Sequence, residues 1–170
     1  AEDVIILPNN SNIVMAAQQA SSLAHKRVHV VPSKTIPQGI SALIAFQPAD
    51  SVANNLAAMT RALAAIDTGE ITVAVRSATF DDIRVAAGEV IGLLNDVLTA
   101  HGHQVQEVAL ELLRQMQAET REIITIYHGQ PVTAAEATAL QAVLRVTYPD
   151  QTIELVNGGQ PHYHYILSAE

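Results

Sequence analysis

Two small α/β lobes are what this sequence predicts, parallel strand–helix units first and then a mixed or antiparallel sheet with helices. Three observations predict them. Residues 4–46 twice run through a short apolar stretch, a proline, a cluster of small polar residues and then a helical pattern, which is the grammar of parallel α/β units. From residue 69 the texture changes to short β-like runs separated by turn residues. Two amphipathic helical stretches, near residues 105–116 and 134–144, then alternate with further β-like runs. The change of texture sets a boundary near residues 67–69, giving residues 1–68 as a parallel α/β lobe and residues 69–170 as an α+β lobe with a mixed sheet.

The first strand is residues 4–7 (VIIL), closed by Pro8, which has no N–H for a ladder. Asn10 or Ser11 caps the helix that follows. Ile13, Val14, Ala17, Ala20 and Ala24 form its apolar stripe, and their mostly small side chains let it lie close to a sheet. Residues 27–31 are the second strand, apolar enough to be buried on both faces, and the equally apolar first strand is expected inside a sheet too. The two should be neighbours, because consecutive parallel strands joined by one helix pair more often than not. Pro37 suits the first turn of the next helix. Asp50 or Ser51 opens a third helix through Leu56, Met59, Leu63 and Ile66, with Gly69 as its stop. Residues 71–76, 83–85 and 90–94 then read as an antiparallel meander broken at Asp81-Asp82 and Ala87-Gly88. A helix follows with Val105, Val108, Ala109, Leu112, Leu113 and Met116 on one face. A strand at residues 123–127 ends at His128-Gly129, and Thr133 with Glu136 forms a capping box. The helix it opens buries Ala137, Leu140, Val143 and Leu144. Strands at residues 153–156 and 163–167 flank Asn157-Gly158-Gly159-Gln160-Pro161, a turn-rich connection.

Composition removes several classes of function. Of the 170 residues 49% are hydrophobic but only 4% aromatic, so alanine, valine, isoleucine and leucine build the core. A formal net charge of −8 opposes nucleic acid and anionic membrane surfaces as partners. The absence of cysteine removes disulfides, thiolate metal sites and a cysteine nucleophile, and fits a cytoplasmic location. No apolar run approaches the roughly 20 residues of a membrane span, so no membrane insertion is expected. A chain that starts almost on a core strand is expected to be a piece of a longer protein.

The chemistry-bearing residues gather at the carboxyl ends of the first two strands, where α/β proteins tend to meet ligands. They are Asn9, Asn10, Ser11 and Asn12 after the first strand, and Ser33, Lys34, Thr35, Gln38 and Gly39 after the second. With the N–H groups of two helix starts they could hold a carboxylate or phosphate. The same residues serve equally as helix caps and Asx-turns. Neither G-x-G-x-x-G nor G-x-x-x-x-G-K-[ST] occurs, so nothing supports nucleotide binding, and no cofactor is expected. Neither a G-x-S-x-G elbow nor H-E-x-x-H occurs either. His101 with His103, and His162 with His164, have the spacing that shares a strand face. With no third ligand indicated, no metal is expected. Arg76 ends a β run, where it faces a cleft between the lobes or pairs with Asp81 or Asp82.

Residues 4–46, GEITVAVRSATFDD at 69–82, GEVIGLLND at 88–96 and the ending VNGGQPHYHYILSAE at 156–170 resemble the C-terminal domain of FakA-type fatty acid kinases, in the dihydroxyacetone-kinase-like family. The resemblance covers essentially the whole chain and implies a DegV-like fold. It places ATP binding and phosphoryl transfer in an N-terminal kinase domain outside these residues. For this chain it implies a non-catalytic role: docking a DegV-type fatty-acid-binding protein, whose acyl carboxylate the kinase domain of the same full-length protein phosphorylates. Asn9, Asn10, Ser11, Asn12, Lys34, Thr35, Gln38, Gly39 and Arg76 are the residues expected to bind partner or ligand. His162 and His164 stand where the family ending carries apolar or proline residues, so the resemblance assigns them no role. In DegV-type relatives part of the carboxylate site precedes the strand matching residues 4–7, outside this sequence. The alternative is a small-molecule module with a fatty acid or anion pocket between the lobes. Either reading allows a homo-oligomer.

Overall fold

The structure, a computed structural model, describes residues 2–80 and 83–170. Its contacts divide the chain into two compact units, Ala1–Ile66 and Asp67–Glu170.

In the first unit, strand β1 (Asp3–Ile6), helix α1 (Ser11–Leu23) and strand β2 (Arg27–Val30) form a parallel β-α-β unit, with Val4 opposite Val28 and Ile6 opposite Val30. Helices α2 (Ile36–Ile44) and α3 (Val52–Leu63) follow. The expected pairing of the two strands is therefore present. Their burial differs from expectation. β2 is exposed at Arg27 and only half-buried at Val28, His29 and Val30, because a sheet of two strands has an edge on either side. The unit's own core is small: Val31, Ala42 and Met59, with Ile5, Leu7, Leu56 and Leu63 packed on it. Of the expected α1 stripe only Ala17 is buried, and Ile13 is 50% exposed. At its open end Arg27 grips both carboxylate oxygens of Asp3 at 2.8 and 2.6 Å, with His29 at 3.0 Å from one of them. That fork, made mainly by Arg27, holds the Asp3 carboxyl far below the ordinary carboxylate range.

Helix α3 ends at Leu63 and does not reach Gly69. Gly69 lies inside strand β3 (Asp67–Val73), and a Cβ there would stand 2.6 Å from Met116 Cε. Its missing side chain admits a helix from across the unit rather than stopping the preceding one. The second unit continues with a hairpin of β4 (Ala78–Phe80) and β5 (Ile83–Val85), then β6 (Val90–Leu94), β7 (Val97–Gly102), helix α4 (Val105–Gln115), β8 (Ile123–His128), helix α5 (Ala134–Thr147), β9 (Thr152–Asn157) and β10 (Tyr165–Ala169). Six of these strands form one sheet in the order β7-β6-β3-β10-β8-β9, in which only β8 and β9 run parallel. The meander is thus real but interrupted by the β4–β5 hairpin, which pairs only with itself.

Side chains alternate across a strand, and the alternation here is strict. Ile71, Ile124, Ile126 and Leu167 join Val108, Leu112 and Leu113 of α4 and Leu140 and Leu144 of α5 in a single core. The opposite sheet face carries Thr68, Glu70, Thr125 and Ser168, all buried. Ser168 lies opposite Thr68 on one side and Thr125 on the other, so three hydroxyls form a row across the sheet. The expected capping box is present: Thr133 accepts from the Glu136 backbone at 3.3 Å, and its own N–H donates to Glu136 Oε2 at 2.8 Å. Thr133→Ala should cost about 1 kcal/mol of stability. Urea denaturation would measure it, and an unchanged midpoint would show that the box contributes nothing.

Candidate functional site

The carboxyl ends of β1 and β2 meet in one polar corner. Asn9 adopts a left-handed backbone (φ 54°), which an asparagine tolerates better than most residues. Its N–H donates to Ser33 Oγ at 3.0 Å, and the Ser33 hydroxyl donates back to Asn9 Oδ1 at 2.7 Å. This reciprocal pair locks the two turns together across a sequence separation of 24 residues. Ser33 is fully buried and Thr35 almost so. The Asn9 amide lies where a Cβ on Gly39 would be, so glycine is required at that turn of α2.

The helix starts are built from the same residues. Asn10 is the N-cap of α1 and accepts from Asn12 N–H at 2.9 Å. Thr35 caps α2 by accepting from Gln38 N–H, while Gln38 Oε1 reaches back to Lys34 N–H at 2.8 Å. Pro37 sits in the first turn, as expected. Asn9, Lys34, Thr35, Gln38 and Gly39 are therefore brought together, with Asn10, Ser11 and Asn12 at the adjoining start of α1. The α1 and α2 starts bring positive partial charge to the corner. Among these residues Lys34, exposed, is the side chain with a full charge. Such a corner suits polar docking or an anion and has no group placed for proton transfer. Ser33, which the sequence points to only as one of several turn residues, is the buried pivot of the corner.

Arg76 belongs to the second unit, past the end of β3, and is exposed. It lines a cavity of about 370 Å³ together with Thr72, Val85, Ile91, His162 and Tyr163. Pairing of Arg76 with Asp81 or Asp82, and the turn expected at those two residues, lie outside the described residues. Tyr163 leads from this cavity to a feature the sequence does not announce. Glu70, 8% exposed in the middle of β3, has its carboxyl pushed up to about 7 by burial and by the negative charge of Asp96, against the hydrogen bond from Tyr163. Burial and the same two carboxylates push the Tyr163 hydroxyl up to about 12. A glutamate inside the run GEITVAV was the available signal.

The histidine pairs do not share strand faces as their spacing suggests. His162 and His164 precede β10, which starts two residues later than expected, and His103 lies beyond the end of β7. Among the described residues no group of three or more metal-ligating side chains comes together. No helix among them is long and apolar enough to cross a membrane.

Comparison with known proteins decides the lineage. The FakA-like C-terminal family of fatty acid kinases matches residues 1–170, the whole chain. The chain belongs to that family. Protein YloV of Bacillus subtilis is 41% identical to this FakA-like domain over 170 residues, covering all of the domain but 31% of YloV. An uncharacterized protein of Staphylococcus saprophyticus is 36% identical over 167 residues, covering 98% of the domain and 30% of that protein. The domain thus spans about a third of the length of the curated relatives it matches. Its fold is that of DegV-family proteins. A fatty-acid-binding DegV family protein of Thermus thermophilus superposes with a TM-score of 0.61 at 16% identity, covering 100% of the domain and 71% of that chain. The fatty acid kinase B3 protein of Streptococcus pneumoniae, solved with linoleic acid, gives 0.65 at 12% identity, covering 100% and 72%. At these identities the likeness is one of fold.

Proposed function

We propose that this FakA-like domain is a non-catalytic docking module of a fatty-acid-kinase-like protein. It receives an acyl-carrying, DegV-type binding protein so that a kinase domain elsewhere in the same longer protein can phosphorylate the fatty-acid carboxylate. The observation that carries the reading is the family match over the full chain, and the corner at Asn9, Ser33 and Gly39 gives it a place to act. That corner is rigid, polar and free of proton-transfer groups, which favours recognition over chemistry. Arg76 would contribute from the second unit. The setting is the cytoplasm, where acyl phosphate is made and used.

The reading is tested with the longer protein and a purified DegV-type fatty-acid-binding protein loaded with oleate. Calorimetry should give saturable binding, and a variant lacking residues 1–170 should lose it along with acyl-phosphate formation while still binding Mg-ATP. Unchanged binding by the shortened protein would remove the docking role.

One observation favours a second reading, a module that itself binds a fatty acid or small anion. The 370 Å³ cavity has mostly apolar walls, a cation at Arg76 and a hydroxyl at Tyr163, the elements of a site for an acyl carboxylate. Direct binding of oleate to the isolated domain, abolished by Arg76→Ala, would establish it in place of docking.

A further inference from the structure

We propose that the open edge of β1 is a strand-docking site, filled in the longer protein by an extended segment from outside residues 1–170. The inference stands apart from the docking role above. It rests on the edge itself, the groove beside it and the length of the relatives.

β1 and β2 make up the whole of their sheet. Arg27 N–H donates to Glu2 O and Val31 N–H to Ile6 O, so the even-numbered residues of β1 turn their backbone groups toward β2. Asp3, Ile5 and Leu7 therefore turn theirs to the open side, since successive residues of a strand direct their backbone groups alternately. Beside them lies a groove of about 290 Å³ lined by Ile5, Leu7, Leu43, Phe46, Val52 and Met59. Leu43 is 60% exposed and Phe46 39%. Ile36, Ile40 and Ile44 extend the apolar surface along α2 at helical spacing, and residues 35–49 contain no charge at all.

Exposed sheet edges are ordinarily guarded by lysine, proline or a bulge. β1 has none of these within residues 3–6, and its ladder with β2 runs without a register shift. Its one acidic side chain, Asp3, is already tied to Arg27 and His29. Outward amides next to an apolar groove are what an added strand with alternating apolar side chains fits. The length of chain elsewhere identifies the occupant. These residues fill only 31% of YloV, and 69% to 75% of solved DegV-family chains that share the fold. A second copy is the poorer occupant, because each brings a net charge of −8. An acyl chain could fill the groove but would leave the Ile5 and Leu7 amides unpaired.

Amide hydrogen exchange on residues 1–170 and on the full-length protein tests the proposal. The Ile5 and Leu7 amides should exchange slower in the full-length protein by about 100-fold or more, at every protein concentration. Ile5→Pro removes an outward N–H and no bond to β2, so it should abolish the extra protection at Leu7. The exposed substitution Leu43→Glu, which touches no ladder bond, should do the same. Equal exchange in the two proteins overturns the proposal. So does protection of the short chain that rises with its concentration, which would identify a second copy. Protection of the short chain produced by added oleate would overturn it too, in favour of a lipid.

Discussion

Gly39→Ala in the longer protein should lower partner affinity at least tenfold (about 1.4 kcal/mol) and destabilise the first unit by about 3 kcal/mol. The added methyl occupies the place of the Asn9 amide. Moving Asn9 breaks both of its bonds to Ser33, and Ser33 is completely buried, with no water to replace what it loses. Leaving a buried hydroxyl unpaired costs about 1–3 kcal/mol, and the displaced loop adds to that. A companion variant separates folding from recognition. Asn9→Gly removes the obstructing side chain and accepts the left-handed backbone without strain, so Asn9→Gly/Gly39→Ala should regain most of the lost stability. It should not regain the binding, because the amide and its partner are gone. Urea denaturation followed by circular dichroism reads the first quantity and calorimetry the second. Normal binding by the double variant would show that the partner does not read this corner.

Glu70→Gln should make the second unit more stable at pH 8 and remove most of a pH dependence that the unmodified chain shows. The folded carboxyl titrates near 7, against an ordinary value of 4.5. Between those values the folded protein keeps a proton that the unfolded chain releases, so stability falls as pH rises through this window. Stabilisation from this source is complete below pH 4.5 and lost above pH 7. Glutamine resembles the protonated acid, so at pH 8 the variant gains up to about 3 kcal/mol and at pH 4 it gains almost nothing. Tyr163 should remain in place, donating to the glutamine oxygen as it does to the carboxylate. Denaturant midpoints at pH 5 and pH 8 for both proteins give the comparison. Parallel pH profiles would mean that Glu70 is ionised and hydrated in the folded state.

What could be read from the sequence was local. The two proline-closed strands, the Thr133–Glu136 box and the α4 face at Val108, Leu112 and Leu113 each declare themselves within a few residues, and each has its expected place. What could not be read depended on distant partners. Gly69 looks like a helix stop until Met116 and Leu112 are brought against it. β7 is hidden by His101-Gly102-His103, yet Asn95 and Asp96 both take positive φ and fold it back on β6 as a two-residue hairpin. The candidate residues near α1 and α2 were legible because strand ends and helix starts are sequence-local. Ser33 as pivot and Glu70 as a buried acid were not, since burial belongs to the assembled unit.

The strand order of the second unit also sets a timetable. β10 lies at the centre of its six-stranded sheet, between β3 and β8. Ile71 of β3 cannot meet Tyr165 until the ribosome has made the intervening chain, a wait of roughly 5–20 s at ordinary elongation rates. Through that interval β6 and β7 can pair with β3, and β8 can begin to form, but the two halves have no seam. The first unit has no such wait, since β1 and β2 lie 24 residues apart. On the ribosome the corner is therefore finished first, and the second unit closes only when residues 165–169 have emerged.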